Sequence, residues 1–159
     1  QTHIFMGIPA PKVGHPDHLL LKVLTTHLSG QSSELFVEVR DRQGLCYSAQ
    51  PIHFTAQDGG HWGIYMASGH DKVTRAIEAI QKILDNLRVN GMEPAEFERV
   101  KRMIEGQAQI NIQTNEDYAN VYSVPVIQKL GLDHYFEGNE RIKELSHADF
   151  QKGLKRVLG

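Results

Sequence analysis

Cys46-Tyr47-Ser48-Ala49-Gln50-Pro51-Ile52-His53-Phe54-Thr55-Ala56-Gln57-Asp58-Gly59-Gly60-His61-Trp62-Gly63-Ile64-Tyr65-Met66-Ala67-Ser68 reads as a β-hairpin. Its two runs, Cys46 to Gln57 and His61 to Ser68, flank Asp58-Gly59-Gly60, a composition that tolerates the positive φ of a tight turn. The second run sets Trp62, Ile64 and Met66 against Gly63, Tyr65 and Ala67, the period of two that a strand with one buried face requires. Pro51 cannot donate to a ladder, so the first run is an edge strand or is interrupted there.

Upstream of the hairpin, Ser32 or Ser33 can cap a short helix carrying Leu35, Phe36 and Val39 on one side and ending before Gly44. Before that, a helix opens near Pro16 or Asp17, with Leu20, Val23, Leu24, His27 and Leu28 at helical spacing and Gly30 as a stop. The opening Gln1-Thr2-His3-Ile4-Phe5-Met6-Gly7 reads as a strand already under way, broken by Pro9 and Pro11. The chain is therefore expected to be a processed or excised piece of a longer one.

Downstream, Asp71 can cap a helix whose Val73, Ala76, Ile77, Ile80, Ile83, Leu84 and Leu87 form one stripe up to Gly91. Pro94 opens another helix bearing Phe97, Val100 and Ile104, and a further one covers Asp117 to Leu130. Ser146-His147-Ala148-Asp149 has capping-box spacing ahead of Phe150, Leu154, Val157 and Leu158. Strand, two helices, hairpin and then helices predict an α+β fold, an antiparallel or mixed sheet with helices packed mainly on one face. With no repeat, linker or low-complexity tract, residues 1–159 are expected to form one domain.

Composition removes several functions. Seventeen Lys plus Arg against nineteen Asp plus Glu leave a formal charge of -2, too little basic field for phosphate backbones, so no nucleic-acid partner is expected. No apolar run reaches the roughly 18 residues that span a bilayer. A single cysteine, Cys46, makes no internal disulfide, and as a lone thiol in an apolar strand it reads as a small packed residue, not a nucleophile.

Nine histidines raise the question of a metal, but neither His-Glu-x-x-His nor its inverse His-x-x-Glu-His occurs. In His15-Pro16-Asp17-His18, a proline and a helix start separate the imidazoles, so a preformed ligand pair is not expected. Gly30-Gln31-Ser32-Ser33-Glu34 lacks the second glycine of a serine-hydrolase elbow, and no phosphate-cradling glycine loop is present.

The segment that does carry chemistry is Val39-Arg40-Asp41-Arg42-Gln43-Gly44-Leu45-Cys46-Tyr47-Ser48. It places Arg40 at a helix end and Tyr47 near a strand start, with Gly44 allowing a tight reversal between them. A guanidinium fork and a phenolic O–H on one side of that turn can together hold a peptide carbonyl, or the negative oxygen formed when water attacks it. The ordinary alternative is Arg40 paired with a carboxylate and Tyr47 half buried.

These residues resemble the C-terminal, non-zinc half of an M16 metallopeptidase, the family of pitrilysin, insulinase and the mitochondrial processing peptidase. The resemblance also takes in the Gln1-Thr2-His3-Ile4 strand, His15-Pro16-Asp17, the run from Leu28 to Phe36, the helix from Asp71, and Glu93-Pro94-Ala95-Glu96-Phe97 with Lys101 on its helix. It implies a half-domain of the LuxS and processing-peptidase type, lacking its leading strand and helix. It further implies no cofactor in this chain, Zn2+ in an N-terminal partner half that belongs to the same longer chain or to another subunit, and a peptide substrate. Arg40 and Tyr47 fall where the family supplies chamber residues that donate to substrate carbonyls. Cys46 stands where Ala is more usual, and Gln31 where Gly is commoner, which implies altered packing there. Export to the bacterial periplasm is what similar proteins suggest.

The function so implied is substrate binding within a zinc-dependent peptidase, with the isolated chain inert, since activating water needs a Lewis acid and a base. A catalytically inactive structural or assembly module is the alternative. A third reading is a peptide-binding domain that adds a strand at its sheet edge.

Overall fold

A computed structural model describes residues 1–159. In chain order the elements are β1 (Thr2–Ala10), α1 (Asp17–Leu28), a π-helical segment (Leu35–Arg42), β2 (Cys46–Thr55) and β3 (Gly60–Ser68). They continue through α2 (Val73–Asn90), α3 (Pro94–Ile110), α4 (Asn115–Ile127), α5 (His134–Glu144) and α6 (His147–Val157).

The hairpin expectation holds: β2 and β3 pair antiparallel, and β1 pairs with the other side of β3, giving the order β1-β3-β2. The middle strand carries Trp62, Ile64 and Met66 into the core, where all three are fully buried. Pro51 lies on an edge strand, where its missing N–H costs nothing. Edge position also explains a difference: β1 runs through Pro9 instead of breaking there. Gly7 and Gly63 face one another across the ladder, and a Cβ on Gly63 would lie 2.4 Å from the Met6 carbonyl, so only glycine fits.

The helices cover one face. Leu21, Val23, Leu24 and Leu28 of α1 join the buried sheet residues, while Ala76 and Ile80 of α2, Phe97, Val100 and Ile104 of α3, and Phe150 and Leu154 of α6 belong to the same core of 24 buried residues. Phe97 and Phe150 pack at 5.0 Å between centroids. Trp62 brings a polar edge into this core and satisfies it by donating Nε1–H to Thr25 Oγ1 at 2.9 Å. The opposite face of the sheet stays open, with Phe5 47% and Phe54 53% exposed around His61.

Several local expectations need correction. Asp71 does not cap α2; it sits in a 3-10 turn, His70–Lys72, and the helix starts after it with no side-chain cap. The fourth helix begins at Asn115, because Thr114 and Asp117 form a reciprocal capping box, and it ends at Ile127, short of Leu130. The segment after Ser33 winds as a π-helix, with Gln43 N–H reaching back to Glu38 O, five residues away, at 3.2 Å. Ser33, not Ser32, supports its start by accepting from Phe36 N–H at 3.2 Å. Helix α5 has no counterpart in the sequence reading, since Ile142 is its one buried residue.

No helix is long and apolar enough to cross a membrane.

Candidate functional site

Arg40 lies in the last turn of the π-helical segment, and Tyr47 is the residue at the irregularity where β2 pairs Cys46 with Ser68 and Ser48 with Ala67. A bulge of this kind re-aims a side chain out of the regular alternation. Tyr47 is 67% exposed, and Arg40 is exposed as well. The connection between them is tight: Gly44 takes φ 59°, and Leu45 N–H returns to Val39 O at 2.9 Å.

Arg40 takes part in no ion pair, whereas Arg42 two residues on does. Arg42 reaches Glu38 within the same segment. Arg99 grips Glu96 through two bonds of 2.7 and 2.6 Å, and His27 Nδ1 meets the same carboxylate at 2.9 Å, tying α1 to α3. The Arg99 bonds first, then His27, hold Glu96 well below the usual range, at about 2. Arg40 instead stacks over the Phe36 ring, 4.6 Å from its centroid, so its N–H fork is held by an apolar plane and keeps its donors. The ordinary alternative of an ion-paired arginine and a half-buried tyrosine does not describe these two side chains.

Tyr47 borders a cleft of about 260 Å³ together with Gly44, Cys46, Gly69, Asp71 and Lys72. Lys72 is occupied, donating to Gly44 O at 3.0 Å. Cys46 is only 8% exposed, and its burial pushes the thiol pKa up against the opposing pull of Arg40, which keeps it a protonated packing group. No hydrogen bond joins Arg40 and Tyr47; what the turn offers chemically is two independent sets of exposed donors.

Other residues singled out in the sequence have structural work. Lys101 donates to Lys143 O at 2.7 Å and Leu145 O at 3.0 Å, closing the C-terminal end of α5. Gln31 is exposed, so its bulk meets solvent and alters no packing. His15 Nδ1 accepts from Asp17 N–H at 3.2 Å, whereas His18 turns away to His53, 3.1 Å distant on β2. That last pairing joins residues 35 apart and left no signal in the sequence. No group of three or more His, Cys, Asp or Glu side chains is placed to share a metal ion.

Comparison with known proteins agrees with this architecture. The family described as Peptidase M16 inactive domain matches residues 1–104. A relative named as the uncharacterized zinc protease YmxG of Bacillus subtilis is 32% identical over 161 residues, covering 99% of this chain and 39% of its own length. An uncharacterized zinc protease of Mycobacterium bovis is 32% identical over 107 residues, 67% of this chain and 24% of that protein. Among solved structures, a peptidase M16 inactive domain from Pseudomonas fluorescens superposes with a TM-score of 0.87 at 18% identity, over 99% of this chain and 37% of that one. A Helicobacter pylori protease gives 0.86 at 21%, over 98% and 37%. These structures share the fold, and the chain spans well under half the length of the relatives it matches.

Proposed function

This chain belongs to the peptidase M16 family, as a domain of the kind described as inactive, and from that premise we propose that it is the substrate-holding, non-zinc half of a zinc-dependent peptidase. Arg40 and Tyr47 donate hydrogen bonds to backbone carbonyls of an extended peptide while a separate zinc-bearing half cuts it. The observation that carries this reading is the Arg40 guanidinium, propped on Phe36 without a carboxylate partner, together with the exposed Tyr47 that follows across the Gly44 turn.

The chemistry assigned to these residues is limited to what they can do. An exposed side-chain fork without a carboxylate partner pays no cost of breaking an ion pair when a carbonyl arrives. As water adds to that carbonyl, negative charge grows on its oxygen, and donors already in place gain strength with it. Losing one such donor typically costs about 3 kcal/mol of barrier, roughly a hundredfold in rate. A zinc ion held by the other half would supply the activated water, and the residues of this chain would bind and orient the peptide carbonyl beside it.

The test is complementation. The chain alone, with or without added zinc, is expected to leave peptides intact, and to restore turnover when combined with its zinc-bearing half. Robust zinc-dependent cleavage by the chain alone contradicts the proposal; assembly with that half without any turnover points to the structural module instead.

A further inference from the structure

At the end of β2 opposite Tyr47, the start of α1, the strand itself and α5 enclose a cavity of about 310 Å³. Lys22, His18, His53, His134 and Arg141 line it, and none of its 14 lining residues is Asp or Glu. A half-buried pocket with only cationic or protonatable side chains among its charged groups is unusual, because burying like charges is costly unless something of opposite sign completes them.

The hydrogen bonds show how the walls are set. His18 Nε2 lies 2.5 Å from Lys12 O, and a carbonyl only accepts, so Nε2 carries the proton and Nδ1 is an acceptor. His53 Nε2, 3.1 Å from that Nδ1, is then the donor, leaving its own Nδ1 with a free lone pair. Lys22 Nζ donates to Asn139 Oδ1 at 3.2 Å, and no carboxylate is among its partners. The nearby acids are taken: Glu137 by Arg141 at 3.2 Å, and Asp17 by Arg156, with His15 Nδ1 also 3.7 Å from Asp17.

The ionisation equilibria follow the same pattern. Burial pulls Lys22 down from its ordinary value. Burial first, then His18 and His61, pushes His53 down to about 4, and burial followed by Arg141 lowers His134. Burial leads each shift, with neighbouring positive groups adding to it at His53 and His134 and Glu137 opposing it at His134.

We propose that this cavity binds a phosphate group, free or as the monoester of a small molecule, with Lys22 supplying the charge and His53 and His134 donating once protonated. Phosphate suits the site better than a carboxylate because its three or four oxygens can use donors arriving from α1, β2 and α5 at once, whereas a carboxylate presents two. The volume sits at the lower end of small-molecule pockets, enough for the anion and a short ester. The inference is independent of Arg40 and Tyr47, which lie at the other end of the strand.

The test follows the histidine ring resonances of the protein while inorganic phosphate, glycerol 3-phosphate, acetate or chloride is added at constant ionic strength. Saturable shifts of His53 and His134 with either phosphate are expected, and phosphate should raise the His53 titration midpoint by about one unit or more, because the anion favours the charged ring. Tighter binding of glycerol 3-phosphate assigns an ester as ligand and tighter binding of inorganic phosphate the free ion; both uphold the site. Lys22→Met should weaken binding about tenfold or more, the loss of one charge-assisted contact. An unmoved His53 midpoint, a shift that chloride reproduces, or acetate binding as tightly as phosphate overturns the proposal. The unsubstituted protein delivers those outcomes even if Lys22→Met does not fold.

Discussion

The two ends of strand β2 treat polar groups in opposite ways. At the Tyr47 end, a phenol and a guanidinium stand exposed, with neither a carboxylate nor a hydrogen bond claiming them. At the His53 end, His18, His53 and the Lys22 ammonium are drawn into a half-buried cavity, the imidazoles bonded to one another and to the Lys12 carbonyl and the ammonium to Asn139 Oδ1. Groups of the first kind contribute little to folding, so they can be altered without harm to the fold. Groups of the second kind are coupled to folding through their desolvation, and whatever relieves that desolvation also stabilises the protein.

Substitutions and pH should separate the two ends, beginning with the largest effect. Trp62 sits across from His53 on the central strand, fully buried and bonded to Thr25. Trp62→Ala should cost about 3–5 kcal/mol in chemical denaturation, the usual range for emptying an aromatic core position. A cost near that of a surface change would mean the inner face of the sheet is not packed as described.

Next comes pH. His53 stays neutral in the fold down to about pH 4, while in the unfolded chain it takes a proton near its ordinary value of 6.5. Between those values the unfolded state holds the extra proton, so stability is full above about 6.5 and falls toward 4. Discounted for partial solvent screening, the loss is on the order of 1 kcal/mol, and His53→Gln should flatten that limb of the profile. Glu96 acts in a lower window: its carboxylate is depressed to about 2 from 4.5, so its contribution is present above about 4.5 and disappears as pH drops through 2. Glu96→Gln should cost roughly 1 kcal/mol or less at neutral pH, the site being partly open to water. The smallest effect belongs to the Tyr47 end, where Tyr47→Phe and Arg40→Ala should each move stability by less than about 0.5 kcal/mol.

Much of the fold is legible in the sequence because its signals are local. The alternation around Trp62 and the stripes of α1, α2 and α3 repeat within one element, and each repeat reports the face that is buried. Helix α5 escapes such reading because one buried residue, Ile142, makes no stripe in 11 positions. Pro9 misleads for a tertiary reason: an edge strand tolerates it, and edge position is not written in β1 itself. The same division runs through the two sites. Arg40 and Tyr47 are seven positions apart across a glycine turn, so the sequence nominates them, though not the Phe36 ring beneath Arg40 or the bulge that turns Tyr47 outward. Lys22, His53 and His134 come from three separate elements, and only folding gathers them.

The central claim, that the exposed pair grips a peptide for another half to cut, is tested most directly by turnover of a peptide substrate in the full protein carrying Arg40→Ala, Tyr47→Phe or both. A fall in kcat/KM of about a hundredfold for Arg40→Ala, a clear fall for Tyr47→Phe, and unchanged unfolding midpoints for all are the predicted results. Wild-type turnover in the double variant would contradict the claim.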